Sequence, residues 1–235
     1  VAPHTEATTA YWQRLLAASE LPAAAAQPPW RNGYPARLPD GRFLMLPIRA
    51  LPEREGEPRQ AVASLLVNQA ALSVVDELGA LLAQALQPLA PDLLVGLPTL
   101  GLTLAAATAR SLGHARYVPL GTSRKFWYDD ALAADVVSIT SPGQAKRIYL
   151  DPHQRPLLQG QRVVLVDDAI SSGSTAPPVW DLLERVGAHV VGYGVAMRQG
   201  DRWRSALGAE RAARVVGVFD SPLLQAGPQG WLLRG

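Results

Sequence analysis

The sequence has no cysteine in its 235 residues. Disulfide scaffolds, cysteine nucleophiles and thiolate metal sites are therefore excluded. Histidine is scarce: His4, His114, His153 and His189 are scattered, which argues against a histidine-only metal centre. No run of about 18 apolar residues occurs, so no membrane-spanning helix is expected. Residues 1–9 lack the basic-then-apolar layout of a secretory signal, and a soluble cytoplasmic protein is expected. A large excess of one charge is missing too. The chain carries 22 basic and 20 acidic residues, a formal net charge of +2. Neither a polybasic nucleic-acid surface nor an acidic tail is present, so no nucleic-acid or membrane partner is expected. Lysine is nearly absent, since Lys125 and Lys146 are the only two among the 22 basic residues.

What the chain does have is apolar content, 48% of its residues, enough for one fairly large domain spanning 1–235. Tyr11 to Glu20 is predicted as a short helix. Pro39-Asp40-Gly41 reads as the turn of a hairpin over 37–48, and 52–58 as a polar loop. The apolar spacing from Gln60 to Gln87 predicts one long helix, ended by Pro88 and Pro91. Beyond it, strands and helices alternate: strands at 92–96, 116–120, 162–166, 189–197 and 214–219, and helices at 102–112 and 177–186. Residues 136–139 and 146–150 are β-like, and the end after 219 reads as loose. Apolar strands alternating with helices predict an α/β fold, a mostly parallel sheet covered on both faces.

The stretch that carries chemistry is Val163-Val164-Leu165-Val166-Asp167-Asp168-Ala169-Ile170-Ser171-Ser172-Gly173-Ser174-Thr175. A buried strand delivers two adjacent carboxylates to its own end, where open α/β sheets bind ligands. A loop of small and hydroxyl residues then leads into a helix, whose N-terminus suits an anion. Gly173 lets the backbone approach a phosphate. Carboxylates repel a phosphate, so the acid pair suits sugar hydroxyls or a metal ion beside it. A single acid capping the following helix would need none of the hydroxyl-glycine loop.

This segment resembles the 5-phosphoribosyl-1-pyrophosphate (PRPP) motif of the type I phosphoribosyltransferases. The resemblance implies that Asp167 and Asp168 hold the ribose hydroxyls, with Mg²⁺ reached through those hydroxyls or through water. It implies that Ala169, Ile170, Ser171, Ser172, Gly173, Ser174 and Thr175 cradle the 5′-phosphate. Two further stretches are similar to that family. Val95 to Leu102, with Thr99 and Gly101, looks like its pyrophosphate loop. Gly121-Thr122-Ser123-Arg124-Lys125 looks like the Arg-Lys pair of the adenine and orotate enzymes, which reaches the pyrophosphate. Residues 129–147 stand where the family has a mobile lid, with Lys146 and Arg147 at its far side. Arg124, Lys125 and Lys146 join the acid pair as the expected catalytic groups.

The resemblance covers about 60–198 and implies a type I phosphoribosyltransferase-like fold. A hood built from 1–59 and 199–235 would choose the base. The implied reaction moves the phosphoribosyl group of PRPP to a nitrogenous base and releases pyrophosphate. The implied assembly is a homodimer. A non-catalytic PRPP-binding regulator of the same fold is the alternative. Enzymes for 6-oxopurines often place a catalytic aspartate where Ser171 stands. Adenine enzymes have a small residue there but carry a lid glutamate that 138–149 lacks. A purine-type acceptor is expected. Phe126-Trp127-Tyr128 is expected to bury the root of the lid, with stacking on a base as the alternative, Asp129-Asp130 to open a helix or lie on a loop, and the arginines around Trp203 to form a solvated face.

Overall fold

A computed structural model describes residues 11–53, 56, 58–137 and 145–234. The chain begins with structure that the sequence pattern does not predict. Tyr11 to Glu20 is not an α-helix: Trp12 takes a φ of 60°, and its buried indole Nε1 donates to the Ser64 carbonyl at 3.2 Å. Residues Leu15–Leu16 (β1) instead pair with a later strand, and a short helix, α1, covers Ala23–Ala26. The predicted hairpin is present as β2 (Gly33–Arg37) and β3 (Phe43–Ala50). Its turn is closed by the Asp40 carboxylate, which accepts from the Arg42 amide at 3.0 Å, while Gly41 supplies a φ of 86°.

The long helix predicted from Gln60 is a correction. Gln60–Ala63 is a strand, β4, with Ala61 and Ala63 buried and their neighbours less so. A short apolar run fits both periods, and here pairing with β3 decides for strand. Only Leu72–Leu86 (α2) is α-helical. Its residues Val74, Leu78, Leu82 and Leu86 form one buried stripe. A Cβ at Gly79 would lie 2.6 Å from the Ala107 Cβ, so this glycine permits the close approach of α2 to the next helix.

From Leu93 the predicted alternation holds. β5 (Leu93–Gly96) precedes α3 (Leu100–Ser111), and β6 is short, Val118–Pro119. β7 (Ala133–Val137) and β8 (Ala145–Tyr149) form an antiparallel arm. The lid residues 138–144 that would join them lie outside the described residues. β9 runs over Arg162–Ile170, α4 over Ala176–Arg185, β10 over His189–Gln199, α5 over Arg202–Ala212 and β11 over Val215–Ser221. The loose end expected after 219 is a second correction. β12 (Leu223–Gly227) and β13 (Gly230–Leu233) pair with each other, and β12 pairs with β4.

Two sheets result. The central one is parallel throughout, in the order β11-β10-β9-β5-β6. Alternation along β9 splits its apolar residues between two cores. Val163 and Leu165 face α4 with Trp180 and Leu183, while Val164 and Val166 face α2 and α3 with Leu82 and Leu104. Each fully buried side chain of this kind contributes about 1.5–3 kcal/mol of transfer energy. The other sheet, β1-β3-β4-β12-β13 with β2 on β3, draws strands from both ends of the chain, the segments expected to build a hood. Trp30 and Trp231 tie its two halves by paired backbone hydrogen bonds of 2.9 and 2.6 Å.

Candidate active site

Three loops leave the carboxyl ends of adjacent parallel strands. In sheet order they follow β9, β5 and β6. The registers Gly96↔Val166 and Gly96↔Pro119 set the ends of β5 and β6 level with Val166, and β9 continues four residues further. The structure therefore gathers on one edge the acid pair with its hydroxyl loop, the Thr99–Gly101 turn and the 121–125 turn.

The acid pair lies inside β9, just past Val166, the last residue paired with β5; β9 runs on beside β10 to Ile170, four residues beyond the strand expected at 162–166. Asp168 is 9% exposed and Asp167 is partly buried. The Asp168 amide donates to Asp167 Oδ1 at 2.9 Å. On the neighbouring strand β10, the Tyr193 hydroxyl donates to Asp167 Oδ2 at 3.3 Å. Burial first, and then the adjacent Asp168 charge, push the Asp167 carboxyl well above the usual range. Burial also raises Asp168. The Tyr193 phenol is raised well above its ordinary value by burial and by the two acids. Two carboxyls buried this close together resist ionising at the same time, so donors or positive charge brought beside them would favour their ionised forms. They can be satisfied by sugar hydroxyl donors or by positive charge.

Next to them, Gly101 has a role that its place in the turn does not disclose. A Cβ there would lie 2.6 Å from the Val166 carbonyl oxygen, 2.8 Å from Asp167 Cα and 2.9 Å from Asp167 Oδ1. The first turn of α3 thus rests directly on the acid pair. Thr99 is exposed just before that turn, and its side chain makes no capping bond to α3.

The hydroxyl loop is similarly packed. Gly173 has a φ of 75°, and a Cβ there would meet Leu207 Cδ1 at 2.8 Å and Trp203 Cα at 3.0 Å. Helix α5 therefore presses on the loop from behind, so packing alone already calls for a glycine at 173. Ser172 and Ser174 are hydrogen-bonded through their hydroxyls at 3.1 Å. Ser171 is exposed, and the Thr175 side chain makes no capping bond. Pro177 and Pro178 fill the first turn of α4 and carry no N–H. The helix start is thus poorer in N–H donors than an ordinary one, and the loop before it carries four hydroxyls. Residues 169–175 supply no cation.

Cations come from the turn after β6 and from the arm. Arg124 Nε donates to Asp130 at 3.2 Å, and Arg147 reaches the same oxygen at 3.3 Å while also binding Asp135 at 2.8 Å. Asp130 thereby couples the turn to the arm. Asp129 caps the short turn at 130–132, accepting from the Ala131 amide at 2.9 Å, as expected of a helix start. Lys125 and Lys146 are exposed and make no ion pair among the described residues. Lys146 lies opposite Val136 in the arm. Phe126-Trp127-Tyr128 is a correction. Phe126 is 93% and Trp127 44% exposed. The three rings stack edge-on at 4.9 and 5.8 Å and continue to Tyr149. Three consecutive side chains on a surface turn have no common inward side. Of the arginines expected on a solvated face, Arg202 and Arg204 are exposed, Arg204 lying over Trp203, whereas Arg211 and Arg214 are partly buried, Arg211 lying over Trp180 and paired with Asp181.

Sequence reasoning missed Tyr193, α5 behind Gly173, and Asp130 between the two arginines. The signal for Tyr193 was a lone polar tip in the apolar strand 189–197, two residues along from small Val191 and Val195. The other two had none, because both are contacts between segments distant in sequence.

Among the described residues no cluster of three or more histidine, aspartate or glutamate side chains stands ready to hold a metal. The donor set at the edge is two acids, which fits a hard cation that takes most of its oxygens from a ligand and water. Among the described residues no helix is long and apolar enough to cross a membrane.

The sequence pattern of the phosphoribosyl transferase domain family matches residues 62–208. An adenine phosphoribosyltransferase of Synechococcus sp. is 34% identical over 112 residues, covering 48% of this chain and 61% of that protein. A xanthine phosphoribosyltransferase of Chloroflexus aurantiacus is 32% identical over 118 residues, covering 50% of this chain and 54% of that protein. The chain thus spans about three-fifths of the length of the first of these relatives. Among solved structures, an adenine phosphoribosyltransferase of Thermoanaerobacter pseudethanolicus superimposes with a TM-score of 0.57 at 21% identity, covering 74% of this chain and 95% of that one. That likeness is one of fold.

Proposed function

The chain belongs to the phosphoribosyl transferase domain family, and on that premise we propose that it moves the 5-phosphoribosyl group of PRPP to a ring nitrogen of a purine-type base. The C1–oxygen bond to pyrophosphate breaks, and pyrophosphate leaves with the electron pair. A C1–nitrogen bond forms, and the base nitrogen gives up its proton. The observation that carries this reading is the convergence of the three loops on one carboxyl edge of the sheet.

Each part then has a task. The hydroxyls of Ser171, Ser172, Ser174 and Thr175, with the loop amides, receive the 5′-phosphate. Asp168 and the exposed part of Asp167 receive the ribose hydroxyls. Their negative charge also favours the positive character that develops on the sugar ring as the bond to pyrophosphate stretches. Thr99 and the turn amides take the pyrophosphate. Lys125 and Lys146, without an ion pair among the described residues, would move with the leaving group, as would Arg124 once released from Asp130. The antiparallel arm is the part suited to excluding water, which would otherwise trap the sugar cation. Asp167 and Asp168, acting through ribose hydroxyls or water, are the residues that would hold Mg²⁺. Charge neutralisation on the pyrophosphate is what that ion supplies when bound. A purine acceptor is supported by the names of the adenine and xanthine relatives. A homodimer in the cytoplasm is the setting we propose with it.

The test is pyrophosphate release from PRPP and Mg²⁺ with a panel of purine bases. Release that depends on one purine is the expected result. PRPP binding without release for any base would overturn the transfer.

A further inference from the structure

Tyr193 lies outside all three stretches that point to PRPP, yet its hydroxyl ends on the acid pair. The residue is 2% exposed, and its ring packs in the core on the α4 side of the sheet. Phenylalanine would fill that space equally well. What the hydroxyl adds is a single hydrogen bond, to Asp167 Oδ2 at 3.3 Å. The other carboxylate oxygen accepts from the Asp168 amide at 2.9 Å. On the third side, the start of α3 leaves no room, since even a Cβ at Gly101 would come within 2.9 Å of Asp167 Oδ1.

Asp167 is thus held at both oxygens and against a wall. The strand register explains why Tyr193 can do this. Val195 is the residue of β10 opposite Asp167, and Tyr193 is opposite Leu165. Tyr193 therefore sits two residues below the acid on the same face, and a phenol is long enough to reach up to it. A carboxylate with two free torsions would otherwise swing away from its like-charged neighbour Asp168.

We propose that Tyr193 is a positioning residue, whose hydroxyl fixes the Asp167 carboxylate in the orientation that receives the ribose of PRPP. This rests on the PRPP reading of the site. It predicts that Tyr193 acts on the ribose part of the ligand and acts only through Asp167.

The experiment measures PRPP and inorganic pyrophosphate affinity by calorimetry, with Mg²⁺, for the unmodified protein, Tyr193→Phe, Asp167→Asn and the double variant. Tyr193→Phe is expected to weaken PRPP about tenfold, the scale of a hydrogen bond to a charged group. It should leave pyrophosphate within about twofold. In the Asp167→Asn background the same change should alter PRPP affinity by less than about twofold, because the charged acceptor is replaced by a neutral amide oxygen. An unchanged PRPP affinity in Tyr193→Phe, an equal loss for both ligands, or an undiminished loss in the Asp167→Asn background overturns the proposal alone. Absence of PRPP binding by the unmodified protein overturns the reading beneath it as well.

Discussion

Replacing Gly101 by alanine adds one methyl group where the first turn of α3 meets β9. Its carbon would sit 2.6 Å from the Val166 carbonyl oxygen and 2.8 Å from Asp167 Cα. Both are backbone atoms, so no rotamer change relieves the contact. The helix must move off the strand by several tenths of an ångström, or the strand must bend. Overpacking of this kind costs about 1–3 kcal/mol. For a chain of this size a loss of 1 kcal/mol lowers the melting temperature by about 2–4 °C, so Gly101→Ala should melt about 2–12 °C below the unmodified protein. The same shift displaces Thr99 and Asp167 relative to each other, so PRPP affinity should fall as well, by about tenfold or more. Gly121→Ala is the matched control. A Cβ there meets nothing within 4 Å, and its melting temperature should stay within about 2 °C. Thermal melts and PRPP calorimetry on the two variants decide the matter. A Gly101→Ala protein that melts with the unmodified one and binds PRPP equally would refute the claim that α3 rests on the acid pair.

The remaining predictions concern charge and hydroxyls. Asp168→Asn should weaken PRPP at least about tenfold by calorimetry, since it removes an ionic acceptor for ribose hydroxyls. The same variant should be more heat-stable than the unmodified protein at pH 8 when neither ligand nor metal is present. Both acids have folded values raised above the ordinary 3.8. The unfolded chain therefore releases their protons first, and stability falls as pH rises from about 4 upward. The advantage of Asp168→Asn should accordingly shrink as the melts are moved toward pH 4, and an advantage that grows there would contradict the burial account. Thr175→Ala should lower PRPP affinity without lowering the melting temperature by more than about 2 °C, because that hydroxyl caps nothing in α4. Asp130→Asn should change stability by less than about 1 kcal/mol in denaturant unfolding, because the ion pairs to Arg124 and Arg147 are about half exposed.

The parallel sheet and its ligand edge were legible because their signals are local. Val163 to Val166 is a continuous buried run, and the acid pair, hydroxyls and glycine that follow are contiguous. The hood was not legible, apart from its Asp-Gly hairpin. Gln60–Ala63 has no local reason to be a strand rather than the start of α2. It becomes one because β3 and β12, which lie far from each other in the chain, flank it. Residues 223–233 likewise look loose until Trp231 meets Trp30. The same rule holds in the site. Asp167, Asp168, Ser171 and Thr175 announce themselves in one segment. Tyr193 and Trp203 act across strand and helix contacts that periodicity does not encode. Phe126 misled because aromatic character usually reports burial, whereas a surface turn between charged residues offers no core to enter.

The central claim is that the loops after β9, β5 and β6 form one PRPP site. A crystal structure of the protein with PRPP and Mg²⁺ tests it most directly. The account predicts the 5′-phosphate within hydrogen-bond distance of Ser171 to Thr175, the ribose hydroxyls on Asp167 and Asp168, and the pyrophosphate at Thr99 beside the 121–125 turn. PRPP bound elsewhere, or with its 5′-phosphate away from the hydroxyl loop, would contradict it.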